Sequence, residues 1–187
     1  MKSPVEKLGT PIQTFAGMDR PCGVAVSQRG EVVVTEWTGH CVSVFSPSGQ
    51  KIQSFGTHGS GQGQFDCPYG IAIDGDGNIL VTDYNNHRLQ KFTLKGQFLA
   101  AVGGKPLQFN CPIDITVSPT NDKVYVVDNT RHRILILNSD FTFSSTFGEY
   151  GIDQEQFRYP LGIACDSTGK VLVADSGNKS SQPRGGS

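Results

Sequence analysis

No stretch of the 187 residues approaches the length of a membrane-spanning helix, and the first twenty contain no apolar run of the kind a secretory leader needs. Both absences point to a cytoplasmic protein. Charge is sparse and balanced, 16 Lys and Arg against 17 Asp and Glu, so the whole-chain balance gives no sign of DNA or a membrane surface as partner. Only residues 83–133 lean basic, with seven Lys and Arg against four Asp, which reads as a solvated face. The five cysteines form no C-x-x-C pair and are expected as buried, reduced thiols. There is no G-x-S-x-G elbow and no segment of helical period. Glycine is what the chain has in quantity, 23 residues with 10 prolines beside them, the composition of many short strands joined by tight turns.

Those strands repeat. Aligned on Pro21, Pro68, Pro112 and Pro160, the chain falls into four similar units at spacings of 47, 44 and 48 residues. A unit of that length with four short strands has the size of one β-propeller blade. In the second unit, Gly70-Ile71-Ala72-Ile73 is the first strand, small enough for a crowded ring centre. The turn Asp74-Gly75-Asp76-Gly77-Asn78 follows, with glycine supplying positive φ. Ile79 to Thr82 form the second strand, ended by Asp83. Tyr84-Asn85-Asn86 leads to Arg88-Leu89-Gln90-Lys91-Phe92, whose alternation predicts a half-exposed third strand. Phe98 to Val102 is the outer strand.

The second-to-third connection carries Asn86-His87-Arg88-Leu89, and the third unit has Arg131-His132-Arg133-Ile134. With Pro-x-Gly-Ile/Val-Ala, x-Val-x-Asp and the closing pairs Phe55-Gly56 and Phe147-Gly148, this pattern resembles the NHL repeat over about residues 12–179. The first unit departs, with Gly39-His40-Cys41-Val42. The resemblance implies an all-β, NHL-type propeller, here partial: about three and a half four-stranded blades plus one N-terminal outer strand at Ile12-Gln13-Thr14-Phe15. Residues 1–11 are then a lead. Residues 180–187 are expected as a disordered tail, because they carry no apolar residue to bury and a proline at 183.

In a four-stranded antiparallel blade, the second-to-third connection and the link between blades fall on one face by parity. That face gathers Trp37, Tyr84 and Arg131, taken as corresponding positions in three blades, together with Tyr69 and Tyr159. Aromatic and Arg anchors within a polar rim suit a protein partner. The same residue types suit single-stranded RNA, whose bases stack on rings while cations neutralise phosphate, and the resemblance to tripartite-motif NHL domains implies that alternative too. It also implies the principal expectation: a substrate-recognition module of a tripartite-motif ubiquitin ligase, with no enzyme site of its own.

Other chemistries find less support. His40, His87 and His132 recur once per unit, which suggests a metal triad, but a repeated turn repeats its hydrogen bonds as well, so structural bonding is expected. No metal and no cofactor is assigned. Asp74 to Asn78 lacks the glycine and glutamate a calcium loop requires. A propeller lyase or hydrolase needs converging polar groups around the axis, where the inner strands offer Asp114 alone against Gly23, Gly70 and Gly162. An open arc of blades leaves flanks uncovered, so self-association is expected.

Overall fold

Residues 14–103 and 107–184 are described by the computed structural model, with side chains as far as residue 179. The first unit is the antiparallel sheet β1 (Pro21–Val26), β2 (Val32–Glu36), β3 (Cys41–Phe45) and β4 (Lys51–Phe55). The second is β5 (Pro68–Ile73), β6 (Ile79–Asp83), β7 (Arg88–Phe92) and β8 (Phe98–Gly103). The third is β9 (Pro112–Val117), β10 (Val124–Asp128), β11 (Arg133–Leu137) and β12 (Phe143–Phe147), and the fourth is β13 (Pro160–Cys165), β14 (Val171–Asp175) and β15 (Ser180–Arg184). Each sheet is a meander in chain order, so the chain is a partial β-propeller.

Turn chemistry sets the hairpins. Asp74 donates its amide to the Asn78 carbonyl, Gly77 sits at φ +83°, and the Asp74 carboxylate accepts the amides of Asp76 and Asn78. Lys91 Nζ lies 2.8 Å from the same carboxylate. Burial raises the Asp74 carboxyl, but Lys91 and Asn78 together hold it below the usual carboxylate range.

The core is divided among the blade junctions. Val33, Val42 and Val44 meet Ile71, Ile79, Val81 and Phe92 at the first. Leu80 and Leu89 meet Ile115, Val126 and Leu137 at the second. Val127, Ile134 and Ile136 meet Ile163, Val171 and Val173 at the third. Each blade thus buries its faces against its neighbours, as in other repeat architectures.

At the first two junctions the inner strands approach so closely that side chains are excluded at the glycine position. A Cβ on Gly23 would stand 2.4 Å from the Tyr69 carbonyl, and one on Gly70 2.7 Å from that of Ile113. Hydroxyls tie these strands together. Thr35 Oγ1 accepts the Gly23 amide and donates to the Tyr69 carbonyl, and Thr82 Oγ1 accepts the Gly70 amide and donates towards Ile113. At the third junction Asp114 takes over, accepting the Ile163 amide at 2.8 Å across the blade boundary.

Three expectations are corrected. The third strand is not half-exposed: Leu89, Gln90 and Phe92 are all buried, and the polar Gln90 bonds Asp83 of the neighbouring strand and Gly63 and Gln64 of the loop between β4 and β5. Exposure alternates instead along β8, the outer strand. The tail is not unstructured throughout, because Ser180–Arg184 pairs antiparallel with β14 from Asp175↔Ser180 to Val171↔Arg184. Strand pairing is made by the backbone and needs no apolar side chain, and β15 is an edge strand, where proline is tolerated. The cysteines are unpaired but not buried, Cys22 being exposed and the other four partly so. The expected strand from residue 12 begins outside the described residues, as do residues 1–11; Thr14 and Phe15 carry no strand, and the Phe15 ring packs edge-on to Phe45 at 5.3 Å.

Candidate recognition face

The turn between the second and third strands sits against the segment that leads into its own blade. Trp37 donates its amide to the Arg20 carbonyl, Tyr84 to Cys67, and Gly177 to Arg158. The two kinds of connection therefore share one face.

The repeated polar residues of that turn are committed to holding it. The carboxylate that ends each second strand accepts the amide two residues before the blade's proline: Asp19 on Glu36, Asp66 on Asp83, Asn110 on Asp128 and Arg158 on Asp175, at 2.7–2.8 Å. Arg88 Nε pairs with buried Asp83 at 2.7 Å and its other nitrogens donate to the carbonyls of Ser60, Gly61 and Gln64. Arg133 repeats the pairing with Asp128 at 2.8 Å. Burial pushes the Asp128 carboxyl up, against the pull of the Asn110 amide and Arg133. The first blade has Cys41 in the arginine's place. Burial raises Glu36, but Ser43, the Asp19 amide and Lys51 outweigh it and leave the carboxyl below its ordinary value.

The three histidines do not meet at one point. Each reaches into the next blade and accepts, at Nδ1, the amide of the residue just before the proline: Cys67 on His40, Cys111 on His87 and Tyr159 on His132, at 3.0–3.2 Å. Those pre-proline residues all have positive φ, between 51° and 59°, a backbone conformation that costs energy outside glycine. The histidine bond helps to hold it.

With the signature spent on architecture, rings are what this face has left to offer. Trp37, Tyr69 and Tyr84 form one cluster, with centroids 5.5 Å apart for Trp37–Tyr69, 6.3 Å for Trp37–Tyr84 and 6.4 Å for Tyr69–Tyr84. All three are half-buried. A hydrogen bond with Cys111, followed by burial, raises the Tyr84 phenol above its usual value. Tyr159 belongs to a second group, 4.5 Å from the His132 ring, which lies 5.0 Å from Tyr150. The Arg158 guanidinium stands 5.5 Å over Tyr150.

Arg131 does not correspond to Trp37 and Tyr84. Counting from the carboxylate that ends each second strand, the equivalent residue is Asn129, which is buried and donates to the Pro160 carbonyl. Arg131 lies two positions later, in the place of Gly39 and Asn86, exposed and 3.5 Å from Gln108. Sequence reading also missed His58 and Tyr150. Their shared place shows once Phe55-Gly56-Thr57-His58 is laid over Phe147-Gly148-Glu149-Tyr150, and each forms an equivalent bridge, His58↔Phe65 and Tyr150↔Phe157.

Near the ring centre, Asp114 is the only carboxylate on the inner strands. Both of its oxygens are occupied, by the amides of Ile115 and Ile163. Burial pushes its carboxyl up despite these two bonds. Among the described residues it has no partner carboxylate with which to do acid–base chemistry.

The NHL repeat family matches residues 18–45, 65–92, 109–137 and 157–180. NHL repeat-containing protein 3 of Homo sapiens is 39% identical over 77 residues, 40% of this chain and 22% of that protein. E3 ubiquitin-protein ligase NHLRC1 of Homo sapiens is 30% identical over 69 residues, 37% of this chain and 18% of that protein. The matched segments thus span less than a quarter of these relatives. Among solved structures, a virginiamycin B lyase from Staphylococcus aureus superposes with a TM-score of 0.69 at 16% identity, over 87% of this chain and 51% of its own. The WD40 β-propeller domain of Doa1 gives 0.64 at 13%, over 84% and 48%. At such identities the likeness is one of fold. Among the described residues, no helix is long and apolar enough to cross a membrane.

Proposed function

Because the chain belongs to the NHL repeat family, we propose that it is a binding module that holds a protein ligand on the face where the strand-two turns and the blade lead-ins meet. The observation that carries this reading is the Trp37–Tyr69–Tyr84 cluster. Three half-buried rings from two blades, fixed by a frame of buried carboxylates, offer rigid amphipathic area at little entropic cost, which is what protein hot spots use. Arg131 and Tyr159, both exposed, supply polar and aromatic contacts further along the same face. One relative bears the name of an E3 ubiquitin ligase. On that analogy the propeller selects the target in a longer ligase-type protein of tripartite-motif organisation, and the ligase chemistry lies elsewhere.

RNA is the second reading, and the charge near the rings weighs against it. In the lead-ins that touch Trp37 and Tyr84, Arg20 is offset by its neighbour Asp19, and Asp66 adds a further negative charge, so a phosphate backbone would find no net positive charge there. Photo-crosslinking tests both. A photoreactive residue at exposed Asn85 is expected to give a discrete protein adduct that Trp37→Ala abolishes, while one at Lys95, among the turns of the opposite face, gives none. Equal adducts from both faces would end the proposal. So would tight binding of a labelled single-stranded RNA pool that weakens steeply between about 50 and about 200 mM salt and is lost in Tyr84→Ala, since the face would then belong to nucleic acid.

A further inference from the structure

At the junction of the first and second blades, two imidazoles and a carboxylate converge. Asp66 Oδ1 lies 3.9 Å from His40 Nδ1 and 3.8 Å from His58 Nε2, the two rings are 4.4 Å apart, and one ligand atom from each residue falls within 4.8 Å of the others. We propose that His40, His58 and Asp66 form a binding site for a divalent transition-metal ion of the zinc class. This goes beyond the recognition reading and does not depend on it. It also departs from the expectation that the chain carries no metal, which weighed His40 only with His87 and His132.

The donor set selects the metal. Two nitrogens and one oxygen suit zinc, cobalt or nickel, whereas calcium and magnesium demand oxygen throughout. Bonds of about 2.0–2.2 Å to a tetrahedral ion put neighbouring ligands roughly 3.3–3.5 Å apart, so the two distances to Asp66 need close by only about half an ångström. Rotation of exposed His58 closes its own distance, and the His40 ring closes the other as its Nδ1 gives up the Cys67 amide. The carboxylate is already oriented: Asn85 Nδ2 donates to Asp66 Oδ1 at 3.1 Å, and the Asp66 amide is held by buried Asp83. Such outer bonds commonly fix metal ligands. The side chains of His58 and Asp66 are 66% and 33% exposed, which leaves open positions for water on the ion.

The repeat itself does not impose this chemistry. At the junction of the third and fourth blades, the same three places hold His132, Tyr150 and Arg158, with the same bridge and the same histidine-to-amide bond. There a guanidinium replaces the carboxylate and a phenol replaces the second imidazole, so a cation is rejected. One backbone arrangement thus presents a metal-binding triad at one junction and its electrostatic opposite at another.

Loading has a local signature. A neutral imidazole has one lone pair on nitrogen, and that of His40 Nδ1 now accepts the Cys67 amide at 3.2 Å. Taking up a metal exchanges this hydrogen bond for a coordination bond. The Cys67 amide therefore loses its acceptor, while the Tyr159 amide on His132 keeps its own.

Calorimetric titration of the tag-free full chain with zinc chloride, and with cobalt(II) as an optical probe, tests the site. The expected result is one equivalent of metal per chain, at least tenfold weaker binding in His58→Ala and Asp66→Asn, and unchanged binding in His87→Gln. Circular dichroism confirms that the variants are folded, and His58→Ala removes only an exposed ring. In amide NMR spectra zinc is expected to shift Cys67 and leave Tyr159 in place. Absence of stoichiometric binding, or wild-type affinity in both His58→Ala and Asp66→Asn, would overturn the proposal.

Discussion

A single polar residue decides how each pair of inner strands is joined, and Asp114 makes the effect measurable. At the first two junctions a neutral threonine hydroxyl bridges the strands. At the third, where Val127 and Ala174 occupy the threonine position, a carboxylate does the work. The two amide bonds favour its charged form, but burial outweighs them and raises its proton affinity in the folded state. Between the ordinary carboxylate value of about 3.9 and that raised value, the folded chain binds more protons than the unfolded one. Stability contributed here is therefore present at acid pH and lost as pH rises through the window, the reverse of a salt-bridged aspartate. Asp114→Asn keeps one acceptor and cannot ionise. Urea unfolding of the two proteins at pH 4, 5.5 and 7 (about the span from the ordinary value upward) is expected to show wild type losing ground steadily to the variant. A flat difference, or one that grows in favour of wild type, would contradict the burial argument.

Among the strands, glycines at one repeat position do different things because their neighbours differ. Gly70 faces the next inner strand, where an added Cβ would stand 2.7 Å from the Ile113 carbonyl and 2.8 Å from Asp114 Cα, both backbone. Gly162 occupies the same place in the fourth unit, and its nearest neighbour would be the Ala174 methyl at 3.5 Å. Gly70→Ala is accordingly expected to cost about 1–3 kcal/mol by forcing two blades apart, and Gly162→Ala less than about 0.5 kcal/mol. Chemical denaturation of both variants checks the contrast; equal losses would mean that the inner strands yield. The position of these glycines was legible in the sequence, as were the strands and turns, because proline, glycine and the hydrophobic period mark them locally. Partners distant in the chain were not. Gln90 reads as a surface residue until Gly63 and Gln64 are brought to it, Asp66 and His58 read as loop residues until His40 arrives from the turn before, and β15 is paired through a backbone that composition does not describe.

At the scale of the whole molecule, an arc of blades ends in two flanks that none of the described residues covers. On the first, Val24 and Val26 of β1 are 64% and 61% exposed; on the other, Leu161 and Leu172 stand out from β13 and β14 at 47% and 41%. Inside the arc the corresponding face of the second blade is closed, with Ile71 of β5 buried and Ile73 packed against the same junction. The flanks are thus junction surfaces in composition and geometry, lacking only the opposite half. Burying one fully exposed valine side chain is worth about 1.5 kcal/mol or more, and an apolar surface of this kind rarely stays free in a soluble protein. The isolated chain is expected to self-associate, with an average mass by light scattering that rises between about 1 and about 100 µM, the range in which exposed apolar edges associate. Val24→Lys with Val26→Lys is expected to shift the mass towards the monomer without changing the far-ultraviolet circular dichroism, since neither side chain is packed. A concentration-independent monomer in the wild-type chain would show that these flanks are satisfied by solvent alone, and the blade junction would then owe its stability to the latches at Thr35, Thr82 and Asp114 more than to apolar contact.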